Sequence, residues 1–174
     1  MRDDDKDQKI MDWYQCYSSD IYRFILMMIG DHEQAKDLTH DTFLKAYQSL
    51  STFKNETSNK NWLYRIARNV TIDYKRKKKP LLFVLDTFIS TQHTNCPEKI
   101  TQLGENEEQL YRALTKLKRS YRDVIILRKM NELTIRETAN VLNWSENKVK
   151  VTLRRALIVL KKQLEEEGYE HESN

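Results

Sequence analysis

Apolar residues recur at helical spacing along most of the 174-residue chain. Tyr14, Tyr17, Ile21, Phe24, Ile25 and Met28 form one stripe, which Gly30 and Asp31 break. A second helix is predicted from about Glu33 to Leu50: Ala35, Leu38, Thr42 and Ala46 share a face that Phe43, Tyr47 and Leu50 widen. After the polar loop Lys54 to Lys60, a third helix starts near Asn61. It carries Trp62, Leu63, Ile66, Val70 and Tyr74, and Pro80 stops it. From there to about Gly104 the period is lost, Leu81 to Ile89 being apolar and Ser90 to Gly104 polar. About two dozen residues without a pattern are long for a loop inside one domain and natural between two. Beyond them, Leu110, Ala113, Leu114 and Leu117 make a stripe, and Val124, Ile125, Leu127 and Arg128 belong to the next helix, begun by Tyr121 and Arg122. Two further helices reach Leu160 and Leu164. The predicted organisation is a first domain over 8–79, a linker over 80–104 and a second domain over 105–167.

Composition supports an all-α fold. The chain holds only 3 glycines and 2 prolines while 32% of its residues are charged, and no βαβ alternation appears. The formal net charge, +4, is small for a nucleic-acid binder, but its distribution is uneven. Acids gather at Asp3 to Asp7, Asp31 to Asp41, Glu105 to Glu108 and the C-terminal tail. Bases gather at Lys75 to Lys79 and from Lys148 to Lys162. Such segregation suggests separate surfaces for different partners, although charged helix ends alone would explain the termini. Cys16 and Cys96 lie too far apart in sequence for a disulfide framework or a zinc pattern, which fits a reducing cytosol. His93 and Cys96 are two ligands at most, so no metal is expected. The acidic, polar N-terminus predicts no secretory leader, and the apolar run Leu81 to Ile89 is too short to span a bilayer. No glycine-rich phosphate loop, HExxH or GxSxG occurs. Binding work without a cofactor is expected rather than catalysis.

The most specific window is Thr134 to Ala156, TIRETANVLNWSENKVKVTLRRA. Thr134 followed by Glu137 makes a capping box, and Ala139 allows a close helix crossing. Asn143 falls where a turn residue with positive φ is wanted, and Ser145 caps the next helix. Val149, Leu153, Ala156 and Leu157 face inward, leaving Asn147, Lys150, Val151 and Arg154 outward. This is the grammar of a helix-turn-helix whose second helix presents a polar, basic face suited to a major groove. Paired amphipathic helices also occur in ordinary bundles, so context decides.

The third helix, NWLYRIARNVTIDYKRKK from Asn61, interleaves Tyr64 and Tyr74 with basic residues. Arg65, Arg68, Asn69, Ile72, Asp73 and Arg76 lie broadly opposite its apolar stripe. Aromatic rings stack on unpaired bases while arginine and lysine neutralise the backbone. The loop residues Asn55, Thr57, Ser58 and Asn59 offer amides and hydroxyls to the edge of an extruded base. Trp62 is expected in the core, and the face with Arg65, Arg68 and Arg76 on nucleic acid. Glu33, Asp37 and Asp41 share a face of the second helix, read either as a solvated acidic surface or as a protein-docking one.

These segments together resemble the extracytoplasmic-function (ECF) sigma factors, minimal members of the sigma-70 family. DHEQAKDLTHDTFLKAY resembles the family's second region. FKNETSNKNWLYRIARNVTIDYKRK resembles its promoter-melting and −10 recognition segment. LKRSYRDVIILRKMNELTIRETANVLNWSENKVKVTLRRAL resembles its fourth region, which carries the −35 helix-turn-helix. His40-Asp41 stands where Gln-Glu is frequent, Lys118 where proline is frequent, and Asn143 where a turn glycine is frequent.

The resemblance implies an initiation factor that binds core RNA polymerase and promoter DNA. Asp37, Leu38, Asp41 and Phe43 would dock on the polymerase. Asn55, Thr57, Ser58 and Asn59 would hold a flipped base, and Trp62, Arg65, Arg68, Asn69, Asp73 and Arg76 would melt and grip the −10 element. Asn147, Lys150, Val151 and Arg154 would read the −35 groove, with Ser145, Lys148 and Arg155 on phosphates. The linker would thread the polymerase, and an anti-sigma factor, often membrane-bound, would restrain the protein. A free-standing helix-turn-helix regulator is the alternative, and it leaves the first domain unassigned.

Overall fold

The computed structural model describes residues 3–53, 58–78, 80, 84 and 105–166. Among these residues the regular structure is helical. The first group comprises α1 (Asp3–Ile29), α2 (His32–Ser49), a 3-10 turn (Leu50–Thr52) and α3 (Asn59–Lys78). The second comprises α4 (Glu105–Thr115), α5 (Arg119–Ile125), α6 (Ile135–Leu142) and α7 (Glu146–Glu166).

Local chemistry sets the ends. α1 begins at Asp3, earlier than its apolar stripe predicts, because acids in a first turn favour the positive end of the helix dipole. Gly30, at φ +68°, turns the chain, and Asp31 caps α2 by accepting from the Gln34 amide at 3.1 Å. Ser58 opens α3 two residues before the expected start, its hydroxyl accepting from the Asn61 amide at 3.2 Å. Pro80 does not end helical geometry outright: α3 closes at Lys78, yet Pro80 and Val84 are themselves helical and exposed. The remaining linker residues, including His93 and Cys96, lie outside the described ones.

The first group packs α1 against α2 and α3 around Ile21, Phe24, Ile25, Ala35, Leu63 and Ala67, all essentially inaccessible. Thr39, Thr42 and Thr71 are buried here because each hydroxyl donates to a carbonyl one turn back. Beside this core Trp13 meets Phe53 and Trp62 edge-on, at 5.7 and 5.8 Å between ring centroids. In the second group α5 and α7 enclose Leu114, Leu117, Val124, Ile126, Leu127 and Val149. α5 widens at its end into a π-helical stretch, Ile126–Met130.

Buried Arg122 holds this group's entry corner. Its guanidinium donates to the Leu114, Thr115 and Leu117 carbonyls at 3.0–3.2 Å, capping the C-terminus of α4 with a charge of the favourable sign.

The two groups touch. α6 packs on α3, and the π-helical stretch reaches α1. Tyr111 of α4 lies over Gly30, where a Cβ would sit 2.2 Å from the ring. The two groups of helices are therefore packed against each other.

Candidate nucleic-acid interface

The helix-turn-helix forms as its sequence dictates. The Thr134 amide donates to Glu137 Oε2 at 2.7 Å and the Glu137 amide to Thr134 Oγ1 at 3.2 Å, completing the capping box. These bonds from Thr134 hold the Glu137 carboxyl below its ordinary pKa. α6 ends at Asn143 with φ 55° and ψ 48°, and the Trp144 amide returns to the Ala139 carbonyl at 2.9 Å. That is a Schellman closure with asparagine in the left-handed position glycine usually takes. Ser145 caps α7, accepting from the Lys148 amide at 3.2 Å.

The face of α7 divides as expected. Val149 and Ala156 are fully buried, with Leu153 and Leu157 half-buried. Ser145, Asn147, Lys148, Lys150, Val151, Arg154 and Arg155 are all exposed. Lys148 Nζ lies 4.4 Å from the Trp144 ring centroid. Among the described residues no ion pair engages Lys150, Arg154 or Arg155, so this face meets solvent with its positive charge uncompensated.

The outer face of α3 is different. Arg65, Asn69 and Arg76 are exposed, and Arg76 pairs with Asp73 at 2.8 Å. Arg68 is not open. Its Nε and Nη2 donate at 2.9 and 2.7 Å to one oxygen of Asp123, a fully buried residue of α5. Trp62 is half-buried in the cluster with Trp13 and Phe53, where core was expected. Tyr64 is no stacking platform: it is buried, packs edge-on against Phe24 and accepts from Asn131 Nδ2 at 2.9 Å. Burial raises its phenol pKa far above the ordinary value, so it stays neutral. Sequence spacing alone did not show that Asn131, from the second group of helices, meets its hydroxyl. Ser58 and Asn59 lead into α3, whereas Asn55 and Thr57 lie outside the described residues.

On α2, Asp37 and Asp41 are exposed one turn apart, as an interaction surface requires. Leu38 and Phe43 are buried and can only shape that surface from below. Two exposed apolar groups lie beside it: Leu44, in line with Asp37 and Asp41 and 49% exposed, which periodicity did not single out, and Tyr14 of α1, placed by periodicity on the apolar stripe and yet 43% exposed. Tyr14 rests edge-on against Phe43 at 4.9 Å, which ties the two helices into one surface. The missed signal was that Leu44 falls just off the main stripe of α2, while Tyr14 sits at the end of the α1 stripe, where the core thins out. Among the described residues no three or more metal-ligating side chains converge, and no helix is long and apolar enough to cross a membrane.

A helix-turn-helix with an open basic face, beside a basic helix and an acidic surface, defines an all-helical DNA-binding protein with more than one partner surface. Comparison with known proteins makes that specific. Residues 13–80 match the model of Sigma-70 region 2, and residues 107–160 that of Sigma-70, region 4. The ECF RNA polymerase sigma factor SigX of Bacillus subtilis is 36% identical over 87% of this chain and 81% of its own length. The RNA polymerase sigma factor YlaC of the same organism is 37% identical over 89% and 91%. Among solved structures, the sigma factor RpoE from Bartonella quintana, in complex with the anti-sigma factor NepR, superposes with a TM-score of 0.71 at 22% identity, over 91% of this chain and 98% of that one. This last likeness speaks for the fold alone.

The chain belongs to the ECF sigma factors of the sigma-70 family. It is a transcription initiation factor that directs core RNA polymerase to promoters, and polymerase and promoter DNA are its partners. A free-standing regulator is not favoured, since the family match takes in the first group of helices as well as the helix-turn-helix.

Proposed function

We propose a division of labour within this sigma factor. Residues 8–79 form the module that docks on polymerase and opens the −10 element, residues 105–167 the module that reads the −35 element, and residues 80–104 join them. The observation that carries the reading is the exposed, uncompensated face of α7. Arg154, Lys150 and Asn147 contact base edges there with Val151 beside them, and Ser145, Lys148 and Arg155 contact phosphates. A good bidentate base contact is worth about 1–3 kcal/mol of discrimination, whereas a phosphate contact sets salt dependence.

On the first module, Arg65, Arg68, Asn69 and Arg76 grip the displaced strand, with Asp73 orienting Arg76. Asn55, Thr57, Ser58 and Asn59 hold a flipped base, and Trp62 supports the site from within. Melting is driven by capture of unstacked bases, whose opening costs a few kcal/mol. Asp37 and Asp41, with exposed Leu44 and Tyr14, dock on polymerase, over Leu38 and Phe43.

The work is binding without catalysis or cofactor, carried out in the cytoplasm. An anti-sigma factor is the natural restraint: RpoE of like fold was solved with one, NepR, and CnrH, with a TM-score of 0.67, with the cytosolic domain of CnrY.

Run-off transcription with core polymerase, followed by start-site mapping, tests the reading. Initiation confined to a set of promoters sharing −10 and −35 elements is expected, and random starts would refute it. Asp41→Lys should weaken core binding about tenfold in a titration, since reversing a charge at a complementary rim disfavours encounter. Undiminished core affinity would remove Asp41 from the docking surface.

A further inference from the structure

Three contacts close the second group of helices onto the first, and each uses a polar or tightly fitted side chain. Arg68 of α3 gives two hydrogen bonds to Asp123 Oδ2. Asn131 Nδ2 donates both to the Tyr64 hydroxyl at 2.9 Å and to the Asp20 carbonyl at 3.3 Å. Tyr111 covers Gly30 so closely that only a glycine fits beneath it.

The seam is nevertheless imperfect. The second oxygen of Asp123 and the side-chain oxygen of Asn131 are buried and meet no donor among the described residues. Burying an acceptor without a partner is unfavourable, and in an opened molecule water would satisfy both. Arg68 is also the member of the α3 basic face that a DNA backbone would have to claim. A guanidinium gripped by a buried carboxylate cannot at the same time grip a phosphate, and the two ligands present the same oxyanion chemistry.

We propose that Asp123 is an internal stand-in for a DNA phosphate. It holds Arg68 in a closed, self-inhibited form of the free protein, with Asn131 and Tyr111 completing the latch. The proposal rests on the reading of α3 as the −10 grip. Closing and DNA binding at α3 are then mutually exclusive, so by linkage a partner that separates the two groups of helices strengthens DNA binding by the same factor that DNA binding favours their separation. Core polymerase, which must engage both modules, is the partner placed to do this. The −35 face of α7 needs no such release, because it is exposed in the closed form.

The test uses the full chain without polymerase. Asp123→Asn keeps the shape and removes the charge, and Tyr111→Ala loosens the seam at a distance from the ion pair. If Asp123→Asn loses helical circular dichroism, Tyr111→Ala carries the measurement. Small-angle scattering reads compactness, and fluorescence anisotropy reads binding to a labelled single-stranded DNA 20-mer of random sequence. Both variants should have a larger radius of gyration than the parent. They should also bind the oligonucleotide about tenfold more tightly, as expected when closed molecules outnumber open ones by about ten to one. Adding Arg68→Ala to Asp123→Asn should cancel the gain in affinity and leave the expansion. Unchanged compactness, or expansion without tighter binding, would overturn the latch. Promoter-specific run-off transcription persisting in that case would show that the failure lies in the latch and not in the assignment of α3 and α7 to promoter DNA.

Discussion

The outward faces of α3 and α7 resemble each other in sequence and differ in the folded molecule. Each carries arginine and lysine at one-turn intervals opposite an apolar stripe. On α7 every such residue from Lys148 to Arg155 is exposed, whereas on α3 Arg68 is turned into a seam and tied to Asp123. A basic helical face is thus a necessary sign of a nucleic-acid surface, but whether the surface is available depends on what else in the chain carries a complementary acid. α6, which positions α7, is also the helix that packs on α3, so one element presents the first surface and helps cover the second.

Four changes would break or sharpen this contrast, in descending order of effect. Arg154→Ala acts on the open face. Loss of one base contact should reduce discrimination among −35 variants by about 10- to 100-fold, equivalent to about 1–3 kcal/mol, while core polymerase still binds. Equal run-off yields before and after the substitution would remove Arg154 from base reading.

Arg65→Ala acts on the part of α3 that the seam leaves exposed. It should weaken single-stranded DNA binding by about tenfold at low salt, a charged hydrogen bond being worth about 1.5 kcal/mol. The slope of log affinity against log salt should fall by about 0.7. An unaltered slope would mean that the exposed arginine touches no phosphate.

Thr134→Ala acts on the scaffold that α6 provides to both surfaces, and loss of the cap should cost about 1 kcal/mol of stability in urea unfolding. The pH dependence follows from Glu137, whose carboxyl pKa is lowered by its bonds to Thr134. Its contribution is present above its unfolded value and disappears as pH falls through the lower folded one. The parent should therefore lose stability below about pH 4.5 more steeply than a Glu137→Gln variant, which keeps the amide contact without the titrating carboxyl. Parallel acid limbs would show that the box is not maintained in solution.

The smallest effect is expected at Lys118, whose φ of −59° already suits proline. Lys118→Pro should stabilise the second group by about 0.4–1 kcal/mol, by restricting the unfolded chain. It gives up the contact of Lys118 Nζ with the Tyr121 ring, 4.1 Å from the centroid. Destabilisation would show that this contact outweighs the entropy.

Much of the molecule was legible in the sequence where a short-range rule governs it. The capping box at Thr134, the left-handed Asn143, the cap at Ser145 and the division of α7 into Val149 and Ala156 inside and Lys150 and Arg154 outside depend on neighbours within a turn or two. The start of α1 at Asp3 was missed because acids read as a frayed end also stabilise a helix N-terminus. Leu38 and Phe43 show the limit of motif transfer. The resemblance implies a docking role for both, yet both are core, and the exposed apolar groups beside the acids are Leu44 and Tyr14. Neither Arg122 as a cap on α4 nor the aromatic cluster of Trp13, Phe53 and Trp62 has a local signature, since each joins residues from different elements.

By itself, then, the sequence determined the helices, the helix-turn-helix, the segregated charges and the resemblance to a sigma factor. Periodicity, capping and motif order are properties of neighbouring residues, and they survive whatever the helices pack against. Tertiary structure alone decided that Tyr64 is interior, that Gly30 lies under Tyr111, and that Arg68 meets Asp123 across 55 positions of chain. No local rule pairs a given arginine with one acid among the 26 acidic residues. That choice is made by the packing of the second group of helices on the first, which brings the buried Asp123 carboxylate of α5 within reach of Arg68.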